Sequence, residues 1–485
     1  MQKTYLVEIL SKLSSKQMRE LSDFVRSPFF NKNESAQRLF EYLRVHHPEF
    51  RSEKTEKEFI YNKLFSPAEY NDSFMRMIIF KLTELTEQFL AYNDMKHEEN
   101  SENIHLINAL LELGIDKGAQ KIINNTEKTL YASKIQNGKY FEDKYELDKF
   151  RHIIYSRSYR AVTIKDKPDE KLLDESNNLT AYYVINVLRR YRYLLNKRFS
   201  VNSEFELEFL PYILKFLENE GKDLLKIRLI SILYKQILAL TDSSREALIF
   251  ELMRELTDDS ILIDDVERRE GLTVIANLSI EKGYSGKEEF YKLILDTDKY
   301  LISKNLYNRV KGGYFENEMF MNVVTLALRL NEIDYTKQFI EENYKKLDPD
   351  SSENLYNYTY SKVYFKLREL DKAQHYISKV NHSDLHIKIN ARITSIMIQY
   401  ELGNIEEVFN EIDNFRKYIQ KDKLLSGSHR KITSNFVKYA TAVSKARYSA
   451  RANLTQLKKD IENCDMISNR VWLGEKVKEL MQRKS

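Results

Sequence analysis

The 485-residue chain contains one cysteine, Cys464, which excludes an intramolecular disulfide framework and any multi-cysteine metal site. Glycine and proline are also scarce, at 12 and 6 residues, against average usage of about 7% and 5%. So few turn residues favour helices joined by short connections over sheets, whose turns need more of them. No window approaches the ~18 apolar residues of a membrane span. Glu8 and Lys12 interrupt the start, so no apolar signal core forms there. A cytoplasmic protein with no membrane insertion is expected. Charge of one sign is missing as well: 77 basic and 73 acidic side chains leave a net +4, which argues against a surface dedicated to nucleic acid.

Motifs of the common enzyme classes are absent. The sequence has no phosphate-binding G-x-x-x-x-G-K-[ST], since Gly286-Lys287 runs into Glu288, and no G-x-G-x-x-G, G-x-S-x-G or H-E-x-x-H. The stretch HSDLH places His382, Asp384 and His386 together, with His375 upstream. His382 precedes the expected helix cap, so the two histidines do not share a face, and no fourth zinc ligand is evident. A polar connection is expected there, with no metal, no cofactor and no catalysis.

What is present is apolar and aromatic. The hydrophobic fraction of 42%, with 25 Phe and 32 Tyr, suffices for extensive cores, and the length allows roughly three domains. Residues 1–97 read as a helical module. Ser14 and Gln17 have capping-box spacing for a helix ending near Arg26, before Pro28. Asn31 or Asn33 caps the next helix. Phe29 and Phe30, in the corner between them, are expected to plug the small core, with an exposed docking knob as the alternative. A helix over about 72–92 carries Phe74, Ile78, Leu82, Leu85 and Phe89 on one stripe. The polar residues 93–103 read as a linker.

A helical hairpin then turns at Gly114 with Ala119 at its crossing, and a long helix follows through residues 141–157. Asp166 to Asp169 break the pattern. Amphipathic segments recur near 179–199, 205–219, 223–240, 244–256, 266–282 and 287–303. Residues 104–310 are taken as a helical-hairpin array. Residues 311–485 show three similar units, each a helix, a short polar turn and a second helix. Their turns fall near Asn331, Arg368 and Gly403, and the spacings of 37 and 35 residues approach the ~34 of a tetratricopeptide repeat. Ala373 marks the helix crossing in the middle unit, and Thr336 and Val408 replace it in the others. Such units stack into a superhelix with one continuous core, and the amphipathic end from Asn469 suits a terminal capping helix. The expected fold is all-α: the N-terminal module, then a right-handed α–α superhelix of tetratricopeptide-like hairpins.

The phrases FVRSPFFNKNE, LFEYL and KLFSPAEYND near the start, with LYNYTYSKVYFKLRELDKA and FRKYIQKDKLLSGSHR late in the chain, resemble an uncharacterised family of bacterial all-helical proteins with degenerate tetratricopeptide-like repeats. The resemblance implies the architecture over nearly the whole chain. It implies no activity and no functional residues.

Two surfaces are candidates for binding. In a tetratricopeptide-like stack the first helix of each pair lines the concave face. This predicts a groove lined by Met321, Thr325 and Arg329, then Tyr358, Lys362 and Lys366, then Ile393, Met397 and Glu401. Its cations, tyrosine and methionines suit a protein or peptide partner with an acidic feature and an apolar anchor, unless the chain's own next helix fills it. The second surface lies on the helix YYVINVLRRYRYLLNKRF. There Arg189, Arg190, Tyr193 and Lys197 share the face opposite a buried stripe, with Arg192 at its edge; the face suits an anionic ligand or ion pairs with a neighbouring helix. An interaction scaffold binding a protein or peptide is therefore expected. The alternative is a nucleic-acid-binding regulator whose residues 53–79 form a helix-turn-helix. Arg76 is the one cation facing outward near the start of its second helix, and Glu84 and Glu87 behind it repel phosphate.

Overall fold

A computed structural model describes the chain except for residues 2–3, 51–52, 99, 159–168, 199–205, 285–286, 309–312, 382–384, 422–426, 450–451 and 485. The described residues are all-helical, with no strand and a single isolated bridge between Phe315 and Leu347. Two compact units divide within one helix, between Val184 and Ile185. The expected boundaries near 97–104 and 310–311 thus fall inside the first and second unit respectively. The expected break at Asp166 to Asp169 lies almost wholly outside the described residues.

The first unit begins with α1 (Tyr5–Lys12), α2 (Ser15–Arg26), α3 (Glu34–Arg44), α4 (Lys57–Phe65) and α5 (Asp72–His97). Ser14 and Gln17 make the capping box, each side chain bonding the other's backbone amide. Asn33 caps α3 by accepting from Ala36 N at 2.9 Å. Asn31 does not cap: it is buried, and its amide donates to Val25 O at 2.8 Å. Ile78, Leu82, Leu85 and Phe89 of α5 join Leu21, Phe40 and Leu43 in one core, each such side chain contributing about 1.5–3 kcal/mol on burial.

Residues 93–103 are mostly helix rather than linker. α5 runs to His97 and α6 (Ser101–Glu112) starts at once, through Asn100 at φ +66°. Polar residues on a solvent-facing helix end look like a linker in sequence, since both are wet. α7 (Asp116–Ala132) completes the expected hairpin, with Gly114 at φ +73° and Ala119 fully buried. α8 (Gly138–Ser158) and α9 (Asp169–Lys197) follow, the unit division falling within α9.

The second unit continues with α10 (Leu210–Glu218), α11 (Arg228–Thr241), α12 (Glu246–Thr257), α13 (Asp265–Tyr284) and α14 (Glu288–Ser303). Three hairpins come next: α15 (Asn317–Arg329) with α16 (Ile333–Asn343), α17 (Pro349–Lys366) with α18 (Leu370–Ile377), and α19 (Leu385–Leu402) with α20 (Ile405–Lys421). Their turn residues Asn331, Arg368 and Gly403 take φ of +59°, +63° and +84°. At each, the amide of the next residue reaches back to the last helical turn: Glu332 N to Ala327 O at 2.8 Å, Glu369 N to Tyr364 O at 3.0 Å, Asn404 N to Gln399 O at 3.1 Å. This left-handed cap satisfies carbonyls that a helix end leaves open. Thr336, Ala373 and Val408 are all fully buried at the crossings. Thr336 is tolerated there because its hydroxyl donates to Glu332 O at 2.7 Å.

First helices lie beside first helices: α15 packs on α17, and α17 on α19. The chain finishes with α21 (Gly427–Tyr448), α22 (Leu454–Glu462) and α23 (Arg470–Lys484). Trp472, Leu473 and Val477 of α23 share one core with Met397, Tyr400, Phe415 and Val443.

Candidate functional site

Residues Thr325, Tyr358 and Lys362 come together as their spacing predicts. Thr325 is on α15 and Lys362 on α17, so the side chains bridge adjacent first helices. Lys362 Nζ donates to Thr325 Oγ1 at 2.6 Å and sits 5.7 Å from the centroid of the Tyr358 ring. The Thr325 hydroxyl donates in turn to Met321 O at 2.8 Å. Burial pushes the Lys362 amine down to about 8, from an ordinary 10.5. It is half-buried, with its hydrogen bond at the solvent edge. Tyr358 is buried, and burial raises its phenol to about 12, against the opposing effect of the Thr394 hydroxyl.

One turn further along, Arg329 and Lys366 are exposed. The Arg329 guanidinium lies 3.9 Å from the centroid of the Tyr291 ring, a cation–π contact that holds it flat and leaves its donors free to turn outward. A tyrosine, a half-buried amine and two outer cations thus follow one another along α15 and α17.

The third helix departs from expectation. Met397 and Ile393 are buried, and Glu401 is turned into a clamp for α23. Glu401 accepts from Trp472 Nε1 at 2.9 Å and pairs with Lys476 at 2.8 Å and Arg368 at 3.0 Å. Met397 and Glu401 therefore do not line an open groove; the chain's own last helix occupies that end. Burial raises the Glu401 carboxyl, but the hydrogen bonds from Lys476 and Trp472 and the charges of Lys476 and Arg368 outweigh it, so the net direction is down.

The face on α9 divides. Arg192 is buried rather than at the edge, with Nη1 2.7 Å from Glu267 Oε2 and 3.4 Å from Gln236 Oε1. Arg189 is half-buried and lies 2.6 Å from the same Glu267. A carboxylate on α13 thus absorbs both guanidiniums. Arg190, Tyr193 and Lys197 are exposed, with Lys197 over the Tyr193 ring at 5.6 Å.

Phe29 is 85% exposed and Phe30 38%, so the aromatic corner is not the plug that was expected. Asn31 takes the inward position through its bond to Val25 O, and this turns both rings out. Phe30 stacks on Phe24 at 4.0 Å, and Phe29 meets Phe30 edge-on at 5.0 Å. Phe24 and Phe30, with Phe89, Tyr92, Glu20 and Asp23, border a shallow depression of about 320 Å³.

In the suggested helix-turn-helix, Arg76 pairs with Asp72 at 2.7 Å. His382 and Asp384 lie outside the described residues. Among the described residues no cluster of three or more His, Cys, Asp or Glu stands ready to hold a metal, and no helix is long and apolar enough to cross a membrane. Sequence reasoning missed Lys476, buried beneath Glu401, and Asp298 on α14, whose carboxyl burial raises to about 7. Neither has a local signal, because both are set by helices distant in sequence.

Comparison with protein-family models, curated proteins and solved structures finds no match to the chain.

Proposed function

We propose that the chain is a non-catalytic interaction scaffold. Its hairpins from α15 onward form a tetratricopeptide-like right-handed superhelix, and a protein or peptide partner docks on the concave face made by α15 and α17. One observation carries this reading: the Lys362–Thr325 bridge joins equivalent positions of successive first helices, 37 residues apart, with tyrosine on one side and cations on the other. Aromatic and cationic side chains grouped around a half-buried centre are what anchor partners at interfaces. The clamp of α23 on Glu401 closes one end, so the docking surface is Lys362, Arg329 and Lys366, beside the buried ring of Tyr358, rather than the full row.

The test is capture of partners from an extract of the source cells, with nuclease added, by the native protein and by the double variant Arg329→Glu/Lys366→Glu. Both substituted side chains are exposed, so the variant keeps its helical circular dichroism. The reading requires that a protein retained by the native chain is lost from the variant. Equal retention by both refutes it.

A further inference from the structure

Lys362 differs from every other well-covered lysine named here. Lys476, 1% exposed, pairs with Glu401 at 2.8 Å and Glu479 at 2.6 Å. Lys235 is held by Glu251 and Glu255, and Lys139 by Glu98, Glu142 and Asp143. Taking an ammonium out of water is costly unless a counter-charge accompanies it, and the fold supplies one in each of those cases. Lys362 has none: among the described residues its polar contact is the neutral Thr325 hydroxyl. An ammonium has three N–H donors, and Thr325 takes one. Two remain at the solvent edge.

The surroundings select what completes the site. Arg329 and Lys366, one helical turn beyond, add positive charge. Tyr358, on the other side, is buried, and its ring centroid lies 5.7 Å from the amine. We infer that Lys362 is the receptor for a carboxylate of a docked peptide, an Asp or Glu side chain or a free C-terminus. This rests on the docking reading above and names the chemistry of its partner. One amine beside one hydroxyl suits a planar carboxylate, whose two oxygens take the two free N–H groups.

The amine also makes the contact measurable without knowing the partner. A bound carboxylate raises the Lys362 pKa from about 8 back towards 10.5, so complex formation takes up protons in that window. The charged and titratable groups nearby are Arg329, Lys366 and Tyr358. The Tyr358 phenol, at about 12, lies above the window.

The experiment uses the full chain and two random dodecapeptide libraries, one with free and one with blocked C-termini, selected on the native protein and on Lys362→Met. The inference expects enriched peptides that share a carboxylate. Lys362→Met should weaken them by roughly 30-fold, and calorimetry in buffers of different ionisation enthalpy should show proton uptake near pH 8.5 that the variant lacks. Enrichment of peptides without any carboxylate, still lost in Arg329→Glu/Lys366→Glu, overturns the inference and leaves the docking reading standing. Phosphorylated or nucleic-acid competitors that displace the peptides better than free carboxylates also overturn it. Failure to enrich any peptide removes the docking reading itself, and the inference with it.

Discussion

Glu401 offers the sharpest test of how the second unit is held together. Its carboxylate serves three donors at once: the indole of Trp472, the ammonium of Lys476 and the guanidinium of Arg368. Removing one partner of a buried ion pair costs about 3–5 kcal/mol because the other is left uncompensated. Here Lys476 keeps a second carboxylate, Glu479, which is itself half-exposed, so Glu401→Ala is expected to cost less, about 2–3 kcal/mol. Glu401→Gln keeps an acceptor for the indole and should cost about half as much. The assay is urea titration followed by tryptophan fluorescence. Trp472 is the single tryptophan, so the signal reports this cluster and no other. Glu401 and Lys476 should couple: Glu401→Ala/Lys476→Met must be less destabilised than the sum of the singles by about 1 kcal/mol or more. The pH dependence follows from the depressed folded pKa. The stabilisation is fully present above the ordinary value of 4.5 and is lost as pH falls through the lower folded value. A cost for Glu401→Ala within about 0.5 kcal/mol of zero, or strict additivity with Lys476→Met, refutes the clamp.

Three further outcomes are expected. Glu267→Ala strands Arg192 and Arg189 without their carboxylate and should destabilise the second unit by about 3–5 kcal/mol, whereas Glu267→Ala/Arg192→Met should recover much of that in a thermal melt. Asn331→Gly relieves a left-handed turn residue and should stabilise by a few tenths to about 1 kcal/mol; Asn331→Val, β-branched at the same φ of +59°, should lose more than Gly gains. Phe29→Ala should leave stability within about 0.5 kcal/mol, since the ring is mostly in water, while Phe30→Ala should cost about 0.5–1.5 kcal/mol through its stack on Phe24; a larger effect at Phe29 than at Phe30 contradicts the corner geometry.

Local signals were readable where neighbours in sequence decide the structure. Ser14 and Gln17 cap each other three residues apart, and Gly114 and Gly403 mark turns because their φ suits glycine. Asn331 and Arg368 are legible only by their spacing from Gly403, since a left-handed arginine has no propensity signal. Several misreadings arise from partners far along the chain. Arg192 looks like an edge residue of α9 until Glu267, 75 residues on, receives it in the interior. Met397 and Glu401 look like groove residues until α23 covers them. Phe29 and Phe30 look like plugs by composition, yet one side-chain amide, that of Asn31, takes their place. Of the candidate binding surface, the face shared by Thr325, Tyr358 and Lys362 follows from helical periodicity. That Lys362 lacks a carboxylate does not, because an absent partner leaves no mark in the sequence.

The clamp on Glu401 also sets a schedule for the newborn chain. Trp472 lies 71 residues beyond Glu401, which at about 5–20 residues per second is roughly 4–14 s of synthesis. During that interval α19 and α20 exist while the helix that covers Met397 and Tyr400 does not. A ribosome stalled in this stretch therefore displays a bare apolar face and an unclaimed carboxylate, the kind of surface that chaperones hold and proteases cut. Completion of α23 removes both at once, so this helix acts as the seal on the face that α19 and α20 leave open.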